Sequence, residues 1–313
     1  MAQRRTGVDS PVDQPRTDLD DLTTEAGSDA AADYDLRSTR ELVERMAAEE
    51  AQVPAAVSAS AGAIADLVDA VAERLRAGGR LVYVGAGSSG RIAALDASEC
   101  ESTFSTPPGT VVALVAGGSE ASALAQEAAE DDGEAGARAV SGLQVGPSDA
   151  VVAVSASGRT PFVVGAIDAA LEAGALTGCV VSVEGSELAR RVDHPIAVVV
   201  GPEFLAGSTR LKAGTAQKLV LNMLSTLAMV RLGKTYGNLM VDVAATNEKL
   251  RARVRRIVET ATGATASEVE RALEDADGDA KVAIVSLLAG VAPQEARNRL
   301  ATSGGSIRRA VDR

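Results

Sequence analysis

An apolar run, Leu81-Val-Tyr-Val84, ends in Gly85-Ala-Gly-Ser-Ser-Gly90-Arg91, and an apolar-periodic segment carrying Asp96 and Glu99 follows. That order predicts a buried strand, a glycine–serine turn and the start of a helix. Such a turn aims free backbone N–H groups at whatever lies above it, and the helix dipole favours an anion there. Gly87, Ser88 and Ser89 therefore mark a phosphate site with two hydroxyls as added donors. Glu99, one helix further on, is out of place near an anion, and it is the first sign of chemistry.

Gly85-x-Gly87-x-x-Gly90 also satisfies the dinucleotide fingerprint. That reading needs an acid at the end of the next strand, roughly 20 residues on, for the ribose hydroxyl. The next strand here, Thr110 to Ala116, ends in Gly117-Gly118, with Glu120 only beyond the turn. On this window alone nucleotide and sugar phosphate stand level. A second window separates them: Val151-Val-Ala-Val-Ser155-Ala-Ser157-Gly-Arg-Thr160-Pro-Phe162 repeats the design. Pro161 suits the first turn of a helix, and Ser155, Ser157 and Thr160 can donate to phosphate oxygens. Each hydroxyl alone is an ordinary helix cap. Two such turns read as two walls of one pocket.

Chemistry on a sugar phosphate means proton transfer, and the chain offers few bases. His194 is the single histidine, in Val-Asp-His-Pro before a strand, so a Ser-His-Asp triad or a histidine-rich metal site is disfavoured. Acid–base work falls to carboxylates. The candidates are Glu99 with Asp96 one turn earlier as a structural partner, then Glu120, Glu127, Glu130, Asp131 and Asp132. Glu127 and Glu130 share a helical face; a solvated acidic face is the competing explanation for that group.

Strands are expected at about 81–85, 111–116, 150–155, 179–183 and 196–200, with helices at about 89–99, 120–141, 161–173 and 185–191. Near-continuous valine runs alternating with helices predict a doubly wound parallel five-stranded sheet covered on both faces, an α/β fold. Ahead of it, Thr24 to Thr39 reads as an acidic arm, Arg40 to Glu50 as a helix, and Pro54 to Ala77 as one long helix stopped by Gly78-Gly79. Behind it come a helix from Gly207 to about Leu232 and another from Thr246 to Thr260. Three short helices, about 266–275, 278–288 and 293–302, form a small C-terminal subdomain. The domain expectation is a disordered tail at 1–22, a sugar-phosphate unit at 23–245 and a helical unit at 246–313.

With 313 residues the chain can bury a full core, and with 2% aromatics and no Trp that core must be aliphatic. A formal charge of −12 argues against nucleic acid or an anionic membrane as partner. Cys100 and Cys179 suggest neither a disulfide framework nor a metal site. No run approaches the roughly 18 apolar residues of a spanning helix, and the first 21 residues lack the apolar core of a signal peptide. A cytoplasmic protein is expected.

Gly85-Ala-Gly-Ser-Ser-Gly-Arg and Ser155-Ala-Ser-Gly-Arg-Thr resemble the two phosphate loops of the sugar isomerase (SIS) domain. Asp96-Ala-Ser-Glu-Cys, Ala116-Gly-Gly, the Gly207-to-Lys218 block and Gly237-Asn-Leu-Met-Val-Asp-Val-Ala-Ala-Thr-Asn-Glu-Lys together resemble the N-acetylmuramic acid 6-phosphate etherase family. The resemblance runs from about Thr24 to the C-terminus and is loosest in the arm. It implies cleavage of the lactyl ether of the muramate 6-phosphate to N-acetylglucosamine 6-phosphate and D-lactate, in cell-wall sugar recycling. Its two acid–base carboxylates map onto Glu99, read as proton donor, and Glu130, read as base. Lys212, inside the Gly207 block, joins the serines as a substrate contact. The resemblance further implies a homodimer with its pocket near the subunit interface, a ubiquitin-associated-like C-terminal unit, and no metal or nicotinamide. Competing readings are a non-catalytic sugar-phosphate sensor like the related glucokinase regulatory proteins, an aldose–ketose isomerase, and a nicotinamide oxidoreductase.

Overall fold

The computed structural model describes residues 26–27, 31–118, 128–243 and 248–312. The expected tail at 1–22, Glu120 and Glu127 lie outside the described residues. The first helices are α1 (Thr39–Glu50), α2 (Val53–Ala59) and α3 (Ala61–Arg76). The single helix expected over 54–77 is in fact broken. Ser60 leaves the helical ladder and donates its hydroxyl to Ala197 O at 3.0 Å, so a tertiary bond decides the break.

Then follow β1 (Leu81–Gly85), α4 (Gly87–Phe104), β2 (Val111–Val115), α5 (Gly133–Gly142), β3 (Ala150–Val154), α6 (Pro161–Glu172), β4 (Leu176–Val181), β5 (His194–Ala197) and α7 (Lys212–Arg231). The five strands form one parallel sheet in the order β2-β1-β3-β4-β5. The last two strands begin two or three residues earlier than expected. The helix expected at 185–191 is instead a set of turns, entered through Gly185 at φ +62° and tied back by Leu188 N–H donating to Gly158 O at 2.9 Å.

Successive strand residues point to opposite faces. Leu81, Tyr83, Val152 and Val154 therefore meet α3, α4 and α7, while Val82, Val84, Val151 and Ala153 meet α5 and α6. Each fully buried large side chain, such as Leu67, Tyr83 or Ile167, contributes about 1.5–3 kcal/mol over exposure. On the second face the packing is unusually close. A Cβ on Gly136 would lie 1.9 Å from Phe162 O, and one on Gly165 2.1 Å from Gly133 O. Glycine at these positions lets α5 sit directly on α6.

After α7, a two-strand hairpin not anticipated from sequence, β6 (Thr235–Tyr236) and β7 (Leu239–Met240), turns at Gly237 with φ +58°. It packs on the core of the C-terminal helices α8 (Glu248–Thr262), α9 (Ala266–Asp275), α10 (Ala280–Ala289), α11 (Pro293–Thr302) and α12 (Ile307–Val311). The Asp242 carboxylate joins the two parts of the chain, meeting Lys234 at 3.0 Å and Lys281 at 2.9 Å. Among the described residues, no single helix is long and apolar enough to cross a membrane.

Candidate active site at the β1–β3 switch point

In a sheet of this order the connections from β1 and β3 leave in opposite directions, opening a crevice above their carboxyl ends. The pairing of Gly85 with Val154 sets the two turns side by side there. The first turn needs all three of its glycines. Gly85 and Gly90 touch backbone to backbone, a Cβ on either lying 2.8 Å from the other residue. Gly87 has φ +50°, the left-handed region that favours glycine. Ala86 is the N-cap of α4 and has no side-chain acceptor to give. Gly90 N–H is the first to reach a helical carbonyl, Ala86 O at 2.9 Å. The N–H groups of Gly87, Ser88 and Ser89 thus point out of the helix end, with half-buried Ser88 and Ser89 hydroxyls beside them.

The second turn organises itself. Ser155 is buried, accepts from Gly158 N–H at 3.1 Å and shares a 3.0 Å hydrogen bond with Thr160. Its hydroxyl shapes the loop, which leaves half-buried Ser157 as the outward hydroxyl. Gly158, at φ +67°, passes over Ser186, whose Oγ would lie 2.3 Å from a Cβ. Thr160 occupies the N-cap position of α6, and Pro161 follows as its first residue.

Glu130 joins these turns. Its Oε1 lies 2.6 Å from where a Gly87 Cβ would be, so its carboxylate rests on the exposed end of α4. The start of α5 holds it there, with Asp132 capping Ala135 N–H at 2.8 Å and Gly133 set close to Pro161 O. Glu99 is not brought to this point. It lies twelve residues along α4 from Gly87, about 18 Å down the helix, and is exposed.

Asp96 does not pair with Glu99. It is buried and accepts from Tyr83 OH at 3.0 Å, Asn222 Nδ2 at 2.6 Å and Ser225 Oγ at 3.2 Å. Burial pushes its carboxyl up while these donors oppose the shift. The network bolts α4 to β1 and α7. Since Gly214 also approaches Ile92, α7 starts at the same end of the fold as α4, beside the crevice.

Lys212, the first residue of α7, is buried, with its ammonium 3.5 Å from Glu49 of α1. Glu203, also buried, accepts from the N–H groups of Lys212 and Ala213 at 2.9 Å each. Glu49 further accepts from Tyr34 OH at 2.9 Å, and Tyr34 stacks on Phe204 at 4.4 Å. Sequence reasoning missed Glu49, Glu203 and this stack, because their meeting depends on tertiary contacts without a local pattern. His194 opens β5, paired with Gly178.

The SIS domain family matches residues 131–227, and the glucokinase regulatory protein N-terminal SIS domain family matches residues 63–171. A phosphoheptose isomerase from Francisella tularensis superposes with a TM-score of 0.50 at 18% identity, covering 62% of this chain and 100% of that one. Fold and paired turns define a protein built on the SIS sheet. The N-acetylmuramic acid 6-phosphate etherase of Rubrobacter xylanophilus is 61% identical over 94% of this chain and 97% of its own length. The etherase of Streptomyces avermitilis is 54% identical over 95% of each. The chain belongs to the N-acetylmuramic acid 6-phosphate etherase family.

Proposed function

We propose that this chain cleaves the D-lactyl ether of N-acetylmuramate 6-phosphate, yielding N-acetylglucosamine 6-phosphate and D-lactate, as a carbon–oxygen lyase of cytoplasmic amino-sugar recycling. Near-full-length identity to the Rubrobacter etherase carries this reading. The phosphate is received by Gly87, Ser88 and Ser89 on one side and by Ser157 on the other, with Ser155 and Thr160 shaping the second turn. Lys212 supplies a cation at the same end of the fold.

The open-chain aldehyde acidifies the proton on carbon 2, which a carboxylate base removes. The lactyl oxygen on carbon 3 is a poor leaving group and needs a proton as the bond breaks. Water then adds to the unsaturated aldehyde, with the proton transfers reversed. Glu130 is the base and Glu99 the acid. Because Glu99 lies about 18 Å along α4 from the turn, the acid in each crevice is Glu99 of the partner subunit in a homodimer. Two features support that arrangement: Glu99 is exposed, and so are Leu95 on α4 and Met223, Leu227 and Val230 on α7. The same reading makes residues 23–245 the sugar-phosphate unit and 246–313 a separate helical domain.

Purified protein given the muramate 6-phosphate should release D-lactate, and Glu99→Gln should lower the rate by about 10²–10⁴ with the fold intact. Unchanged turnover in Glu99→Gln would remove that residue from the mechanism. Tight sugar-phosphate binding without lactate would mark a sensor instead.

A further inference from the structure

We propose that Glu130 is the resident occupant of the α4 anion turn and that the substrate phosphate displaces it, delivering its carboxylate to the sugar chain. The delivery step rests on the etherase reading above; the occupancy does not.

The turn presents the outward N–H groups of Gly87, Ser88 and Ser89, and Ala86 brings no side-chain oxygen to cap them. A carboxylate and a phosphate are the same kind of guest for such an end. Glu130 Oε1 lies 2.6 Å from the position a Gly87 Cβ would take, so only a glycine there admits it. A phosphate brings more charge and more acceptor oxygens, and it can also use the Ser88 and Ser89 hydroxyls. Two anions about 4 Å apart in a partly dry crevice repel one another, so they do not share the turn.

The route out is local. Glu130 is half-buried, so one side of it is open. Its side-chain torsions can turn while α5 stays fixed by Asp132 and by the Gly133–Pro161 contact. The displaced carboxylate therefore stays within one side chain's reach of the bound phosphate, where the sugar carbons begin. A sugar lacking the phosphate leaves the base parked on the helix end. Selection for the phosphorylated substrate is thus built into the position of the base.

Titrating inorganic phosphate into the full-length protein tests this. Glu130→Gln removes the charged occupant, so it should bind phosphate about tenfold or more tightly than the wild type. Glu130→Ala should show the same gain, covering the case in which glutamine comes to rest in the same place. Equal or weaker binding by both variants overturns the proposal. In the wild type, phosphite should raise D-lactate release from unphosphorylated N-acetylmuramate about tenfold or more by completing the displacement. If the wild type releases lactate from the phosphorylated substrate but phosphite brings no acceleration, tighter phosphate binding by the variants also overturns it, since Glu130 would then merely repel the anion. If the wild type releases no lactate from the phosphorylated substrate while the variants still bind phosphate more tightly, the etherase reading fails and the occupancy stands.

Discussion

The hydroxyls around the crevice divide by whether they are buried within their turn or stand at its opening. The buried Ser155 hydroxyl accepts from Gly158 N–H and is hydrogen-bonded to the Thr160 hydroxyl, so it holds the second turn in shape. Ser88, Ser89 and Ser157 remain half-buried beside the opening. The two thiols are a separate case. Burial pushes both Cys100 and Cys179 up to about 12, with the Asp96 charge adding to the effect at Cys100. Neither thiol is nucleophilic at neutral pH, because the thiolate is the reactive form. A folded-state value above the unfolded one means that this contribution to stability is complete below about pH 8.5. It is lost as pH rises toward 12, because the unfolded chain ionises its thiols first. The melting temperature should therefore fall over that window, and a thiol reagent should label the protein at neutral pH only after denaturation. Rapid labelling of the native protein at pH 7 would contradict the burial.

At the level of elements, two devices place the carboxylates. The Asp96 network with Tyr83, Asn222 and Ser225 sets the rotation of α4, and with it the face on which Glu99 stands, one turn further on. The glycine contacts between α5 and α6 seat Glu130. Gly165→Ala would drive a methyl to 2.1 Å from Gly133 O, so it should cost about 1–3 kcal/mol in denaturant unfolding. It should also lower turnover, since Gly133 follows closely on Glu130. Gly62→Ala is the control. Nothing lies within 4 Å of its added methyl, and alanine in a helix should gain about 0.5 kcal/mol. Equal effects at the two positions would show that close approach is not what glycine provides at Gly165.

For the whole molecule, the proposed shared site requires Glu99, which α4 carries away from the crevice of its own chain, to enter that of a second copy. α4 and α7 share one layer, and their buried positions face the sheet. Their opposite faces carry Leu95, Met223, Leu227 and Val230, each between 39% and 57% exposed. Apolar side chains gathered on one face mark an interaction surface. On the proposed dimer, Leu227→Glu, far along α7 from both turns, should give a folded monomer in light scattering and abolish lactate release with it. A fully active monomer would place both carboxylates in one chain and refute the shared site.

Both glycine–serine turns were legible in the sequence because their signal is local. Glycines, hydroxyls and an apolar run occupy a dozen consecutive residues, and backbone sterics leave few other conformations. The parallel sheet was legible for the same reason, as valine runs at regular intervals. The sequence by itself thus determined the five strands, most of the helices, the two turns and a short roster of carboxylates. Tertiary structure alone decided that Glu130 rests on Gly87, that Asp96 binds Asn222 and Ser225, that Lys212 meets Glu49, and that the helix expected over 54–77 breaks at Ser60. Each of these joins residues from separate elements, and such contacts depend on sheet order and helix packing, which no local spacing encodes.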